Sequence, residues 1–329
     1  MSEFPTRRLR RLRTSLPLRE MLASVRLSRD QLIAPLFVRE GQGTANPIPS
    51  MPGQFQFSAD TALQTARRWA DAGLRAVLLF GVTEPNRKDA VGSEAWNDSA
   101  AVQRLTRELK GALPQMVVIT DVCLCEYTDH GHCGTITDRG GRRDVDNDAT
   151  LESLAKVAAS HARAGADIVA PSAMMDGQVG AIRSTLDNEG FVNTGILSYA
   201  VKFASSMYGP FRDAAESTTQ FDDRRTYQMD YRAVRQAFTE AAADIGEGAD
   251  IIMVKPAATH LDVIAEVRRR FDVPLAAYHV SGEYAALHAA AGNGWLDLKD
   301  AAIEVTTAIK RAGADLIITY FAEQLAGWL

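Results

Sequence analysis

The three cysteines of the chain fall within eleven residues, as Cys123, Cys125 and Cys133 in the run Asp121-Val-Cys-Leu-Cys-Glu-Tyr-Thr-Asp-His-Gly-His-Cys-Gly134. Three thiols scattered by chance over 329 residues would almost never cluster so tightly, and thiolates are the ligands of a soft metal ion. A closed zinc finger pairs two knuckles to make four ligands, whereas only three sulfurs are on offer here. Three ligands and an open fourth position are what catalytic zinc uses. His130 or His132 could instead complete a structural site. Three plain buried thiols are the metal-free alternative, although Gly131 and Gly134 suit a loop better than a core element.

Lysine is the second informative residue type, because only seven of the 36 basic residues are lysine (88, 110, 156, 202, 255, 299 and 310). Where charge alone is wanted this chain uses arginine, so a lysine kept in apolar surroundings suggests that an amine is needed. Lys255 lies in Ile-Ile-Met-Val-Lys-Pro, where desolvation disfavours the ammonium and leaves a nucleophilic amine able to form a Schiff base with a ketone. The competing reading is a lysine paired with a buried carboxylate. Lys202, in Ser-Tyr-Ala-Val-Lys-Phe-Ala, carries the same two readings. Nearby, Tyr208-Gly-Pro-Phe-Arg-Asp213 with Arg224, Arg225 and Gln228 brings arginines to one loop. Arginine forks bind carboxylates in bidentate fashion, and on a surface they are equally at home in water.

The elements that must position these groups show one repeated pattern. Asp71-Ala-Gly-Leu, Arg163-Ala-Gly-Ala, Glu247-Gly-Ala and Arg311-Ala-Gly-Ala each end a helix and lead at once into an apolar run, at Arg75–Phe80, Asp167–Ala170, Asp250–Lys255 and Asp315–Tyr320. Glycine can take the left-handed conformation that ends a helix, and the apolar run reads as a parallel strand buried on both faces. With Leu32–Val38, Met116–Asp121, Gly195–Tyr199 and Pro274–Tyr278 the strands number eight, most of them separated by helical periodicity. That predicts a closed (β/α)₈ TIM barrel, with an open doubly wound sheet as runner-up. No phosphate-cradling glycine motif supports a nucleotide site. In such a barrel the active site lies at the C-terminal strand ends, where Asp121, Cys123, Ser172, Asp176, Lys202, Lys255, Tyr278, Ser281 and Tyr320 all fall.

Composition narrows the class. A net charge of -5 argues against nucleic acid as main partner. No apolar run approaches the roughly 18 residues that span a bilayer. The N-terminus carries Arg7, Arg8, Arg10, Arg11 and Arg13 with no apolar core behind them, so it is not read as a secretory signal, and a cytoplasmic protein is expected. There a tight cysteine cluster means metal more often than disulfide. Residues 1–30 read as an arm that packs on a neighbouring subunit, and 31–329 as a single barrel.

Taken together, Asp-Val-Cys-Leu-Cys with His-Gly-His-Cys-Gly, Lys-Phe-Ala-Ser with Tyr-Gly-Pro-Phe-Arg-Asp-Ala-Ala, Met-Val-Lys-Pro, and Tyr-His-Val-Ser-Gly-Glu-Tyr closely resemble the porphobilinogen synthase (5-aminolevulinic acid dehydratase) family, in order from about residue 30 to the C-terminus. The resemblance implies a homo-octamer assembled through N-terminal arms and a hydro-lyase of heme (tetrapyrrole) biosynthesis that condenses two 5-aminolevulinate molecules to porphobilinogen with loss of two waters. By the same resemblance, Lys255 is the Schiff-base lysine for the substrate that becomes the propionate side, and Lys202 holds the second substrate. Ser281 and Tyr320 bind the first substrate's carboxylate; Arg212, Arg224 and Gln228 serve the second. Ser172, Tyr208 and Tyr278 are expected to line the same pocket. Cys123, Cys125 and Cys133 match zinc ligands, Asp121 is a proton handler near the metal, and Glu240 matches an allosteric magnesium position. Glu126 and Asp129 depart from the usual pattern by adding negative charge beside the thiols, unless they point to solvent. A loop over residues 204–228 is a candidate lid. Two rival classes remain: a metal-free Schiff-base aldolase on the same barrel, and a non-catalytic zinc or nucleic-acid module.

Overall fold

The computed structural model describes residues 6–329. Eight strands, β1 (Leu32–Arg39), β2 (Ala76–Val82), β3 (Val117–Val122), β4 (Ile168–Pro171), β5 (Gly195–Lys202), β6 (Ile251–Lys255), β7 (Leu275–His279) and β8 (Leu316–Thr319), pair in parallel, each with the next. β8 returns to β1 through Leu32↔Ile317 and Ile33↔Ile318, which closes the barrel and removes the open-sheet alternative. Eight helices form the outer ring: α1 (Ala59–Asp71), α2 (Ala101–Ala112), α3 (Asn147–Arg163), α4 (Gln178–Asn188), α5 (Gln236–Glu247), α6 (Leu261–Arg270), α7 (Leu298–Ala312) and α8 (Ala322–Trp328).

The local chemistry explains the elements. α1 turns Ala59, Ala62, Ala66 and Trp69 inward at helical spacing, and α2 does the same with Val102, Leu105 and Leu109. α3 and α7 begin at side-chain caps, where Asp146 accepts from the Ala149 amide (3.1 Å) and Asp297 from the Asp300 amide (2.9 Å). The four junction glycines all have positive φ, 95° at Gly73, 99° at Gly165, 108° at Gly248 and 124° at Gly313, so the repeated small-Gly-small signature is the backbone reversal that feeds each strand.

Two features lie outside the repeat. Ala45–Pro47 and Phe55–Ser58 form an antiparallel pair, and the latter runs parallel to the C-terminal half of β1, from which β8 has parted. Between β3 and α3 a hairpin joins Ile136–Arg139 to Arg142–Val145. At the N-terminus, no residue from Thr6 to Gln31 is buried. Leu9, Leu12, Leu16, Met21 and Leu22 are exposed there along a short 3₁₀ turn and a short helix.

Candidate active site

The strand ends build the first half of the site. Strand β5 is longer than its sequence pattern suggests and includes Lys202 as its last residue. Ser198 pairs with Ile252 but Val201 with Val254, so β5 carries one extra residue, a bulge. Without it Tyr199 and Lys202, three apart, would face opposite sides of the sheet. With it both lie at the rim, and Lys202 pairs in register with Lys255. The Lys255 ammonium nitrogen sits 4.2 Å from the ring centre of Tyr278, 5.0 Å from Tyr199, and 5.2 Å from Tyr208 and Phe211. Among the described residues no carboxylate pairs with it. Burial in this aromatic box, reinforced by Lys202, pulls its pKa down to about 7 against the opposing pull of Asp121. The free amine is therefore accessible near neutrality.

Lys202 donates to the Ser172 carbonyl oxygen (2.5 Å), and the Ser172 hydroxyl donates to Asp121 Oδ2 (3.1 Å). Among the described residues Asp121 Oδ1 has no hydrogen-bond partner, although the residue is buried. Burial and the charge of Glu126 push the Asp121 carboxyl up to about 7, against the pull of both lysines. A carboxyl that titrates near neutrality can take up and return protons. The Tyr278 and Tyr320 hydroxyls lie 3.0 Å apart at the same rim. Ser281 is buried; its hydroxyl accepts from the Phe211 amide (3.0 Å) and donates to the Met207 carbonyl (3.3 Å).

The loop after β3 builds the second half. All three cysteines are buried, and their sulfurs lie within 4.8 Å of one another, with Cys123 and Cys125 3.4 Å apart. Such a set of soft donors fits a metal ion. Neither histidine joins them. His130 Nε2 faces the Ala90 carbonyl (3.2 Å) and its Nδ1 accepts from the His132 amide (3.1 Å). His132 is held by Tyr227 and Phe221. The two departures from the family pattern separate: Asp129 is exposed, but Glu126 is buried, contrary to the idea that it points to solvent, and its carboxyl lies 3.3 Å from Cys125 Sγ. Burial, then Cys133, raises its pKa.

Residues 204–228 reach both halves, through Phe211 at Lys255 and Arg224 at Gly131. Arg224 is buried, and its guanidinium donates to the carbonyls of Gly131 (2.9 Å) and Ser217 (2.7 Å). Burial disfavours its charge, but the electrostatic pull of Cys125 and Cys133 outweighs burial and raises its pKa. The Arg212 guanidinium has no partner among the described residues, and burial beside Arg224 lowers its pKa. Both polar atoms of the Gln228 side-chain amide are buried without partners among the described residues. Unpaired polar atoms of this kind mark a place for a polar, anionic ligand. Arg225 instead pairs with Asp223 at the surface, 75% of its side chain exposed.

The structure thus gathers Lys255, Lys202, Asp121, Ser172, Tyr208, Tyr278, Ser281, Tyr320, Arg212, Arg224, Gln228 and the cysteines at one rim. Glu240, half-buried on α5, lines a polar cavity of about 510 Å³ with Asp144, Asp176, Asp230 and Gln228, and so adjoins the rim through Gln228. Burial and the charge of Asp176 raise its pKa. Sequence reasoning missed Tyr199 and Phe211, two walls of the Lys255 box. The only available signal was their place beside Lys202 and Arg212.

The profile described as "Delta-aminolevulinic acid dehydratase" matches residues 6–328. Proteins of that name from Synechococcus elongatus and Methanothermobacter thermautotrophicus are 51% identical over 328 residues (99% of both chains) and 53% identical over 327 residues (99% of this chain, 98% of the relative). The crystal structure of delta-aminolevulinic acid dehydratase (porphobilinogen synthase) from Toxoplasma gondii, in complex with the reaction product porphobilinogen, superposes with a TM-score of 0.95 at 43% identity, covering 98% of this chain and 91% of that one. No helix among the described residues is long and apolar enough to cross a membrane.

Proposed function

Because the chain belongs to the delta-aminolevulinic acid dehydratase family, we propose that it condenses two 5-aminolevulinate molecules to porphobilinogen through Schiff bases on Lys255 and Lys202, with zinc on Cys123, Cys125 and Cys133. The carrying observation is Lys255 itself: a buried amine with no carboxylate partner, pulled down to about 7 and in register with a second lysine.

Lys255 as free amine attacks one substrate's ketone; the carbinolamine loses water as the C=N bond forms. Lys202 does the same for the second substrate. Asp121, with one oxygen free and the other held by Ser172, takes and returns the protons these steps release. Ser281 and Tyr320 receive the first carboxylate; Ser281 exchanges its present bonds to Phe211 and Met207 for that contact. Arg212, Arg224 and Gln228 hold the second. Tyr199, Tyr208, Tyr278 and Phe211 keep water from the imine. An ion on the three thiolates supplies Lewis acidity for the second substrate's carbonyl or amine.

The exposed apolar residues of the N-terminal segment support an arm that packs on a neighbouring subunit, in an octamer. Glu240 with Asp176 is proposed as a secondary magnesium site, and the location as cytoplasmic. Borohydride reduction in the presence of 5-aminolevulinate tests the central claim. A mass adduct on Lys255 is expected, and its absence overturns the reading.

A further inference from the structure

The two histidines of the cysteine loop are not metal donors, and the function assigned to the site leaves them without a role. Their contacts supply one. The backbone of His130 accepts from the Gln220 amide (3.0 Å), and that of Gly131 accepts from Arg224 (2.9 Å). The His132 ring lies over Phe221 at 4.4 Å between centres, with Nε2 2.9 Å from the Phe221 carbonyl and Nδ1 3.1 Å from the Tyr227 hydroxyl. A ring nitrogen that faces a carbonyl carries the hydrogen, so in the neutral ring Nδ1 accepts from the tyrosine. Both nitrogens are thereby spent on residues of the lid.

Gly131 makes the approach possible. Its φ is +73°, and a Cβ there would stand 2.4 Å from the Thr218 carbonyl oxygen, a backbone atom that no rotamer change can move. The hairpin that follows the loop adds two more contacts, Arg143 over the Phe221 ring at 4.1 Å and Asp144 accepting from the Thr226 hydroxyl at 2.8 Å. Every contact between residues 130–132 and the lid therefore lies within three residues of Cys133, and the lid in turn carries Arg224, Gln228 and, through Phe211, one wall of the Lys255 box.

We propose that His132 and Gly131 are positioning residues that dock the lid on the cysteine loop, so that filling the three-thiol site and closing the lid favour each other. The coupling rests on the reading that the cysteines hold a metal. Fixing Cys133 on an ion fixes the backbone that presents His132 and Gly131, and linkage requires that lid docking tighten the ion by the same factor.

Hydrogen exchange of residues 217–227 in the full-length enzyme, with zinc or with a chelator, reads the lid. Competition with a chromophoric chelator reads the zinc affinity. Chelation is expected to speed lid exchange about fivefold or more. His132→Phe keeps a ring against Phe221 but loses both hydrogen bonds; it is expected to speed exchange with zinc present and to weaken zinc binding by a similar factor. Tyr227→Phe, a conservative change on the lid side, moves both readouts in the same direction by less. Zinc uptake with lid exchange indifferent to it, or a loosened lid in His132→Phe at unchanged zinc affinity, overturns the coupling alone. A wild-type enzyme that takes up no zinc overturns the coupling together with the metal reading.

Discussion

The two halves of the site are built in different ways. Lys255 and Lys202 stand on the last residues of adjacent, hydrogen-bonded strands, and their surroundings are rings packed into the barrel mouth. The cysteines stand on a loop that is held by another loop, through contacts between side chains and backbone carbonyls. Strand ends set distances rigidly, which suits covalent chemistry that tolerates little misplacement. A loop held by a loop can open and close, which suits the admission of substrates and of the ion proposed for the cysteines. If the proposed roles hold, the division means that the lysine half and the cysteine half can fail separately.

The largest effect tests the rigid half. Lys255→Ala is expected to lower turnover at least about 10³-fold, since a covalent path is lost outright. Borohydride adduct at residue 255 should vanish while zinc content stays at the wild-type level. Loss of zinc in this variant would show that the halves are not separable. Next comes the loop half: chelation, or Cys133→Ser, is expected to reduce turnover about 10²-fold or more, as removal of a Lewis acid worth several kcal/mol implies. Under the same conditions Lys255 should still trap a single substrate. Its failure to do so would break the division from the other side.

A smaller, graded effect follows from the Lys255 amine. Its pKa is pulled down to about 7, and only the unprotonated form attacks. Adduct formation should therefore rise through pH 7 to a plateau, and fall about tenfold per unit well below it. The sign for stability is the same. From about 7 up to the ordinary value of 10.5 the unfolded chain binds the proton and the folded one does not, so this group's burial costs less stability as pH rises through that window. A profile centred near 10 would mean that the aromatic box does not act on the amine.

What the sequence made legible divides along the same line. The barrel was readable because each glycine junction and each doubly buried strand is a local statement, fixed by a few adjacent residues such as Arg163-Ala-Gly-Ala before Ile168. The reactive types were readable because lysine is scarce and the cysteines cluster. The bulge that turns Lys202 toward Lys255 was not, since it is a property of pairing between β5 and β6 and leaves the alternation of neither strand altered in an obvious way. Nor was the fate of His130 and His132, because a histidine beside cysteines looks like a ligand until its partners 89 and 95 residues away are seen. Glu126 turned inward while Asp129 turned out for the same reason: loop orientation is set by tertiary contacts.

The smallest effect comes from a glycine far from both halves. Gly165 lies at the N-terminal face of the barrel between α3 and β4 with φ of +99°, and a Cβ there would meet only the Lys110 side chain, at 3.4 Å. Gly165→Ala thus adds backbone strain without a hard collision, about 1–2 kcal/mol of stability. Turnover per folded molecule, zinc affinity and lid exchange should all stay within about twofold, as surface strain remote from a site usually leaves it alone. The same substitution at Gly131 meets the Thr218 carbonyl at 2.4 Å and must move the lid. Measured side by side by thermal unfolding and steady-state kinetics, the pair separates a glycine that shapes the scaffold from one that closes the site. If Gly165→Ala lowered turnover as much as stability, the rim would be strained through the barrel itself, and strand ends would be no more rigid a platform than the loop.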